Sequence, residues 1–201
     1  MPARFSALAG AFVMATVVAS PSAGFACGFD GALGAGFSAM HPKSLAVAFA
    51  ISDAVASGVV GRAAAAPIEP GPKGYWRAAG HIQSFERRLA ATPATLAQAP
   101  RISILFIESR LWSRLVASGQ GYDVQMHVAG PTPGDVVIVT NETVLAAALD
   151  GALAPRAAFD LGVIAVDAEP PAADAIRAAL LSAVSSKTSA AVKAIPFFRR
   201  K

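Results

Sequence analysis

The first half of the chain carries hydrophobic residues with the periodicity of helices. Residues 41–61 are apolar on nearly every side, which is typical of a helix buried on more than one face, and the central Asp53 argues against a membrane span. Residues 62–74 contain three prolines and two glycines and therefore predict a loop. A second helix is predicted from Tyr75 to Ala91, because apolar residues recur there at spacings of three and four. Its apolar stripe comprises Trp76, Ala79, Ile82, Phe85 and Leu89.

After Pro100 the periodicity changes to that of β-strands. Residues 101–109 are apolar on both faces, as expected of a strand in the centre of a sheet. Residues 122–128 alternate between apolar and polar positions, which is typical of a strand with one face on the core. Residues 135–140 predict a third strand and residues 163–167 a fourth.

Helices are predicted between and after the last two strands. Asn141 is placed to cap a helix over residues 142–150, and Gly151 can end that helix in a left-handed conformation. A short helix is expected from Pro155, and a last helix opens at Pro171. The expected fold class is therefore α/β of the α+β type. It has a mixed or antiparallel sheet of about four to five strands, covered by helices and preceded by two helices.

The N-terminal residues have the composition of a secretory signal. Arg4 precedes an apolar run over residues 7–19, which is too short for a membrane span, and small residues stand where a signal peptidase reads the chain. Residues 1–26 are therefore predicted to be a signal peptide, and the protein is expected to be periplasmic or secreted. Cys27 is the sole cysteine, so an internal disulfide is impossible. Lipid attachment to Cys27 is disfavoured, because Gly24 replaces the aliphatic residue of lipoprotein signals.

These patterns divide the chain into four parts. The signal peptide is followed by an N-terminal arm and helical segment, residues 27–98, whose first part is rich in glycine. An α/β domain is predicted over residues 99–186 and a C-terminal tail over residues 187–201. The two long helices thus precede the domain that holds the sheet.

Charge and motif content exclude several classes of function. The formal net charge is +4, but no basic stripe with interleaved aromatic residues exists, so nucleic acid is not an expected partner. Three cations, Arg199, Arg200 and Lys201, end the chain and would attach it only weakly to an anionic membrane. Ser109 and Ser113 lack the flanking glycines of a nucleophile elbow. The chain is therefore predicted not to be an enzyme, and no cofactor is expected.

Two other groups of residues have a functional interpretation beside a plainer one. Cys27, Met40 and His41 are ligand types that copper sites use, but His41 also suits the residue before a helix start, so a metal or thiol site is only a weak alternative. Arg110 and Arg114 flank Trp112 near Glu108, and a pair of arginines can hold a carboxylate or phosphate. Arg110, Trp112 and Arg114 could form the polar mouth of a lipid pocket or a surface for a protein partner. The alternative is an ordinary Glu–Arg pair beside a packed tryptophan.

The segment DVVIVTNETVLAAALDGALAPRAAFDLGVIAVD resembles the core of the sterol carrier protein lipid-binding domain. The resemblance extends over residues 101–185 and is tight only over residues 136–167. The positions that carry it are Gly151, Leu153, Ala154, Pro155, Ala158, Phe159 and Gly162, with Ile164 and Val166 in the following strand. The resemblance implies a lipid chain held between sheet and helices, with the terminal helix as a cover. One departure is the pair of long helices and the glycine-rich arm before the first strand, since these could plug such a pocket.

The residues themselves permit two kinds of packing beneath the paired helices. Large inward residues alternate there with a run of alanines, which allows either close packing or a cavity, and proteins normally avoid empty apolar volume. Together with the resemblance, this pattern points to an apolar ligand site. The candidate ligand-binding residues are Leu145, Leu149, Phe159, Ile164, Ile176, Leu180 and Met126. The function expected is non-catalytic binding of an apolar small molecule or lipid by an exported protein, the alternatives being an accessory factor for another exported protein or the metal or thiol site.

Overall fold

The computed structural model describes residues 40–119 and 121–193. Over these residues the chain forms helices around a mixed five-stranded sheet, which confirms the expected α+β fold class. The predictions for the signal peptide, for Cys27 and for the end of the tail concern residues outside this range.

The sheet is ordered β3-β2-β1-β4-β5. Its central strands β1 and β4 run parallel, and every other neighbouring pair is antiparallel. The strands are β1 Arg101–Phe106, β2 Leu111–Ser118, β3 Gly121–Met126, β4 Val136–Thr140 and β5 Ala165–Asp167. The central position of β1 agrees with its apolar residues on both faces.

Strand β2 was not among the four strands that the sequence predicts. Its sequence LWSRLVAS interrupts the apolar pattern with Arg114, which made the segment resemble a polar surface. In the structure Arg114 faces the same side as Trp112, and its charge is met by Asp135 at 3.2 Å. A strand can therefore carry this cation in a half-buried position.

The helices cover both faces of the sheet. One face receives α1, where the His41 ring packs edge-on against Trp112 with 6.4 Å between centroids. On the other face the Tyr122 hydroxyl donates to the carbonyl of Ala99, which follows α3. The helices are α1 Ser44–Ala56, α2 Gly71–Ala90, α3 Pro93–Gln98, α4 Glu142–Asp150, α5 Pro155–Asp160 and α6 Pro170–Lys193, with a short 3₁₀ turn at Arg62–Ala65.

Three details of α2 and its surroundings differ from the predictions. The helix begins at Gly71, one turn before Tyr75, because Pro72 occupies its first turn and needs no amide bond there. The predicted loop also contains the 3₁₀ turn. Trp76 does not belong to the buried stripe, since its side chain is 68% exposed. It lies six residues before Ile82, which turns it about 120° away from the core-facing side at 3.6 residues per turn.

The capping signals around α4 are confirmed. The Asn141 side chain accepts a hydrogen bond of 2.7 Å from the Val144 amide, and Gly151 ends the helix with φ of +80°. Both α1 and α2 contribute to the same hydrophobic core as the strands, and α6 continues past residue 186 to Lys193. Of the helices in the described part of the chain, none combines the length and apolarity that crossing a membrane requires.

Candidate functional site

A pocket of about 340 Å³ lies at the carboxyl end of β1, on the side of the sheet that α1 covers. Its walls are α1, the 3₁₀ turn with the linker that follows it, and the start of α4. Most of the lining is apolar or small, and three side chains are polar. The apolar lining comes from Ala48, Ile51, Val55, Ile68 and Ile107 with residues 64–67, and the polar side chains are Ser52, Glu108 and Asn141.

Local sequence explains why this space exists. Ala48, Ile51, Ser52 and Val55 stand three and four residues apart, so they share one face of α1. The facing turn is built from alanines, whose short side chains leave the space unfilled. The linker beyond it is held to α2, because Glu69 pairs with Lys73 and Arg77 at 2.8 and 2.7 Å.

Asn141 connects the turn to α4. While its Oδ1 caps α4, its Nδ2 donates a 2.7 Å hydrogen bond to the carbonyl oxygen of Ala64. The side-chain amide therefore uses both its oxygen and its nitrogen on the protein itself. Its role in the pocket is to hold two walls at a constant separation.

Glu108 is the ionisable residue in the lining. Its Oε1 accepts a 2.8 Å hydrogen bond from the Glu142 amide at the start of α4. Its Oε2 is buried and, among the described residues, has no hydrogen-bond partner. Burial raises the pKa of Glu108 to about 7, and the negative charge of Glu142 adds to that rise, while bonds from two backbone amides oppose it.

Glu142 is the neighbouring carboxylate, and its charge is compensated. Arg77 approaches with Nε at 2.5 Å from Oε1 and Nη2 at 3.2 Å from Oε2, and His81 Nδ1 lies 3.2 Å from Oε1. Burial alone would raise the pKa of Glu142, but the bonds to His81 and Arg77 outweigh burial and lower it. Glu142 therefore lies behind the pocket lining as a carboxylate that is paired with a cation, whereas Glu108 in the lining has no such partner among the described residues.

The predicted ligand-binding residues lie elsewhere. Of the seven, five are fully buried core side chains and two are partly buried against the core. The buried ones are Leu145, Leu149, Ile164, Ile176 and Leu180, and the partly buried ones are Phe159 and Met126. Within the described chain, none of them belongs to the lining of the pocket at β1.

The predicted polar mouth is dispersed in the structure. Trp112 is only 2% exposed and belongs to the core. Arg114 of β2 lies opposite Ser103, which is near the start of β1, whereas Glu108 follows the end of β1. Arg110 lies in the turn between β1 and β2 with φ of +55°. None of these three residues lines the pocket, whereas Glu108 does.

The candidate metal ligands are also separate. Cys27 lies outside the described residues. Met40 packs against the core, and both ring nitrogens of His41 are engaged, Nδ1 with the Lys43 amide and Nε2 with Asp167 at 3.3 Å. In the part of the chain that the structure describes, no three His, Cys, Asp or Glu side chains are grouped to hold a metal ion.

Comparison with protein-family models, with curated proteins and with solved structures gives no significant match. The function of the chain must therefore be inferred from its own pocket. Sequence reasoning named Glu108 and Asn141 but did not bring them together, and it missed Ala48, Ile51 and Ile107 as lining residues. The spacing of three and four along α1 was a signal for that face, but it did not show what the face lines.

Proposed function

We propose that this protein binds a small apolar molecule, without catalysis, in the pocket between α1 and the 3₁₀ turn. The observation that carries the proposal is a largely apolar pocket of about 340 Å³ with few polar groups. A cavity of about 150 Å³ admits benzene, so by the same ratio this one holds roughly a dozen carbon atoms. A small molecule or the end of a lipid chain fits this volume better than a whole lipid.

Burial of apolar surface supplies the driving force. Each Å² removed from water contributes about 25 cal/mol, and the apolar walls leave only a few polar atoms to be satisfied. Catalysis is not part of the proposal, because Glu108 has no second acid or base beside it in the lining, as far as the structure describes the chain.

Export is part of the same proposal and rests on the N-terminal pattern of Arg4, the apolar run and the small residues before Cys27. The order of β4, α4, α5 and β5 follows the strand, helix, short helix and strand that the sequence predicts, and the resemblance to the sterol carrier domain remains part of the proposal. The proposed pocket differs from the family's, since it lies beneath α1, whereas α6 packs against α2 and α3.

The test compares two substitutions of alanine in α1. Ala48→Phe places an aromatic ring in the pocket, whereas Ala46→Phe adds the same ring at an exposed position of the same helix. Binding of 1-octanol is followed by NMR on the methyl groups of Ile51, Ile68 and Ile107. We expect saturable shifts in the parent protein and in Ala46→Phe, and at least tenfold weaker binding in Ala48→Phe.

Thermal unfolding of both variants checks that each is folded. Absence of saturable shifts in the parent protein would contradict the proposal, and so would equal binding by the two folded variants. Native mass spectrometry of protein purified without detergent provides a second measurement, because a retained small molecule would appear as a discrete mass increment that Ala48→Phe lacks.

A further inference from the structure

The chemistry of the pocket lining restricts the ligand beyond being apolar. Among the described lining residues, Glu108 is ionisable and no lysine, arginine or histidine is present. Asn141 uses both ends of its amide on Val144 and Ala64. The Glu108 carboxyl and the Ser52 hydroxyl are therefore the polar side chains left for a ligand.

The start of α4 does not supply an anion site. Helix N-termini attract anions through free amides, but here side chains of the protein already occupy two of those amides. Glu108 Oε1 accepts from the Glu142 amide at 2.8 Å, and Asn141 Oδ1 accepts from the Val144 amide at 2.7 Å. A ligand carboxylate would meet a carboxyl group that already occupies this position.

Among the residues that the structure describes, no cation is paired with Glu108 in its place. Arg77 binds Glu142 through two nitrogens and also binds Glu69 at 2.7 Å, so its guanidinium is committed to other carboxylates. The Glu108 Oε2 atom, buried and unbonded within the described structure, remains as an acceptor beside the apolar walls. Buried polar atoms without partners are uncommon in folded proteins and are often found where a ligand binds.

We propose that the ligand is a hydrophobic amine whose ammonium group pairs with Glu108 while its apolar body fills the space between α1 and the 3₁₀ turn. This inference rests on the proposed function and adds the chemical class of the ligand. Overall charge works against it, because the chain carries a formal net charge of +4, so a preference for a cation must come from the pocket itself.

Protonation is linked to this binding. The raised pKa of Glu108 means that its carboxyl holds a proton for part of the time at neutral pH, and binding of an ammonium displaces that proton into solution. The neighbouring charged group is Glu142 of α4, which in turn contacts Arg77 and the titratable His81 of α2, and Arg77 also binds Glu69 of the linker. The pH dependence of ligand affinity that is due to Glu108 is therefore the part that disappears when Glu108 is replaced.

The experiment uses three eight-carbon probes that differ only in the polar end, namely octylamine, 1-octanol and octanoate. Dissociation constants are measured by titration calorimetry at pH 6 and pH 8 for the parent protein, for Glu108→Gln and for Asp123→Asn. Asp123 is exposed on β3, so its replacement likewise exchanges one carboxyl group for an amide without touching the pocket. Methyl shifts of Ile51 and Ile107 confirm where each probe binds.

The expected result is an octylamine affinity about ten- to hundredfold above that of octanol at pH 8, as a charge-assisted bond provides. The ratio of octylamine affinity to octanol affinity should decrease at pH 6. It should be unchanged in Asp123→Asn and close to one in Glu108→Gln. Equal binding of amine and alcohol by the parent protein would overturn the amine inference while leaving the proposed function intact. Tightest binding of octanoate would also overturn it. Failure of all three probes to bind would overturn both proposals.

Discussion

The two ends of the central strands β1 and β4 each hold a buried carboxyl group, and the protein treats them differently. At the starting end, Asp135 accepts bonds from Ser103 Oγ at 2.7 Å and from the Thr132 amide at 2.9 Å. Arg101 and Arg114 approach it at 3.1 and 3.2 Å. Burial would raise the pKa of Asp135, but the bonds from Thr132 and Ser103 and the charge of Arg114 outweigh burial and lower it.

At the finishing end, Glu108 receives far less support. Its Oε1 accepts the Glu142 amide, its Oε2 is unbonded among the described residues, and its pKa is raised to about 7. A carboxyl that the chain satisfies fully stabilises the fold, whereas one left in a pocket lowers stability and is available to a ligand. The difference indicates a structural role for the Asp135 end and agrees with the binding role proposed for the Glu108 end.

The largest effect is expected from Asp135→Ala. The Asp135 side chain is fully buried, and its removal leaves the buried part of Arg114 without its counter-charge. We expect the free energy of unfolding at pH 7 to fall by about 3–5 kcal/mol, measured by urea denaturation. Because the pKa of Asp135 is lowered by folding, its contribution is present at neutral pH and is lost as the pH falls below the ordinary range of an aspartate. A loss under about 1 kcal/mol would contradict the structural role.

A medium effect of opposite sign is expected from Glu108→Gln. Folding raises the pKa of Glu108 from 4.5 to about 7, so the folded state binds more protons than the unfolded state over that interval and stability falls as the pH rises through it. Glutamine removes the penalty and should stabilise the protein by up to about 3 kcal/mol at pH 8. At pH 4 the gain should disappear. Equal unfolding curves for variant and parent at pH 8 would contradict the prediction that the Glu108 carboxylate, unlike that of Asp135, lowers stability.

The smallest effect is expected from Arg101→Ala. Its side chain is 45% exposed, so its ion pair with Asp135 is screened by water, and Ser103, Thr132 and Arg114 remain to hold the carboxylate. We expect less than about 1 kcal/mol of destabilisation by urea denaturation. A small loss would show that Ser103, Thr132 and Arg114 are sufficient to stabilise the Asp135 carboxylate. A loss of stability as large as that of Asp135→Ala would contradict this and show that Arg101 is required.

Sequence reasoning succeeded where the signal is local. The Asn141 cap, the left-handed Gly151 and the proline start of α5 each depend on residues within a few positions, and all are present in the structure. It failed where the answer depends on helix phase or on a distant partner. Trp76 is exposed because the buried stripe of α2 follows Ala78, Ile82 and Phe85.

The pocket could not be predicted for the same reason. Its walls come from segments far apart in the chain, and the Asn141–Ala64 hydrogen bond that joins two of them spans 77 positions. Strand β2 was not predicted because Arg114 interrupts its apolar pattern, and the counter-charge Asp135 lies 21 residues later in the chain. The unmatched carboxyl of Glu108 is likewise a property of the assembled site and has no counterpart in local sequence.

The linker that borders the pocket contains Pro67 and Pro70 within four residues, next to the turn that Asn141 fastens. Proline removes most backbone freedom, so this wall has little conformational entropy to lose during uptake. Entry of a ligand should therefore not require a slow closing movement of this linker. We expect the association rate to be limited by diffusional encounter, so that differences in affinity between ligands arise mainly from their dissociation rates.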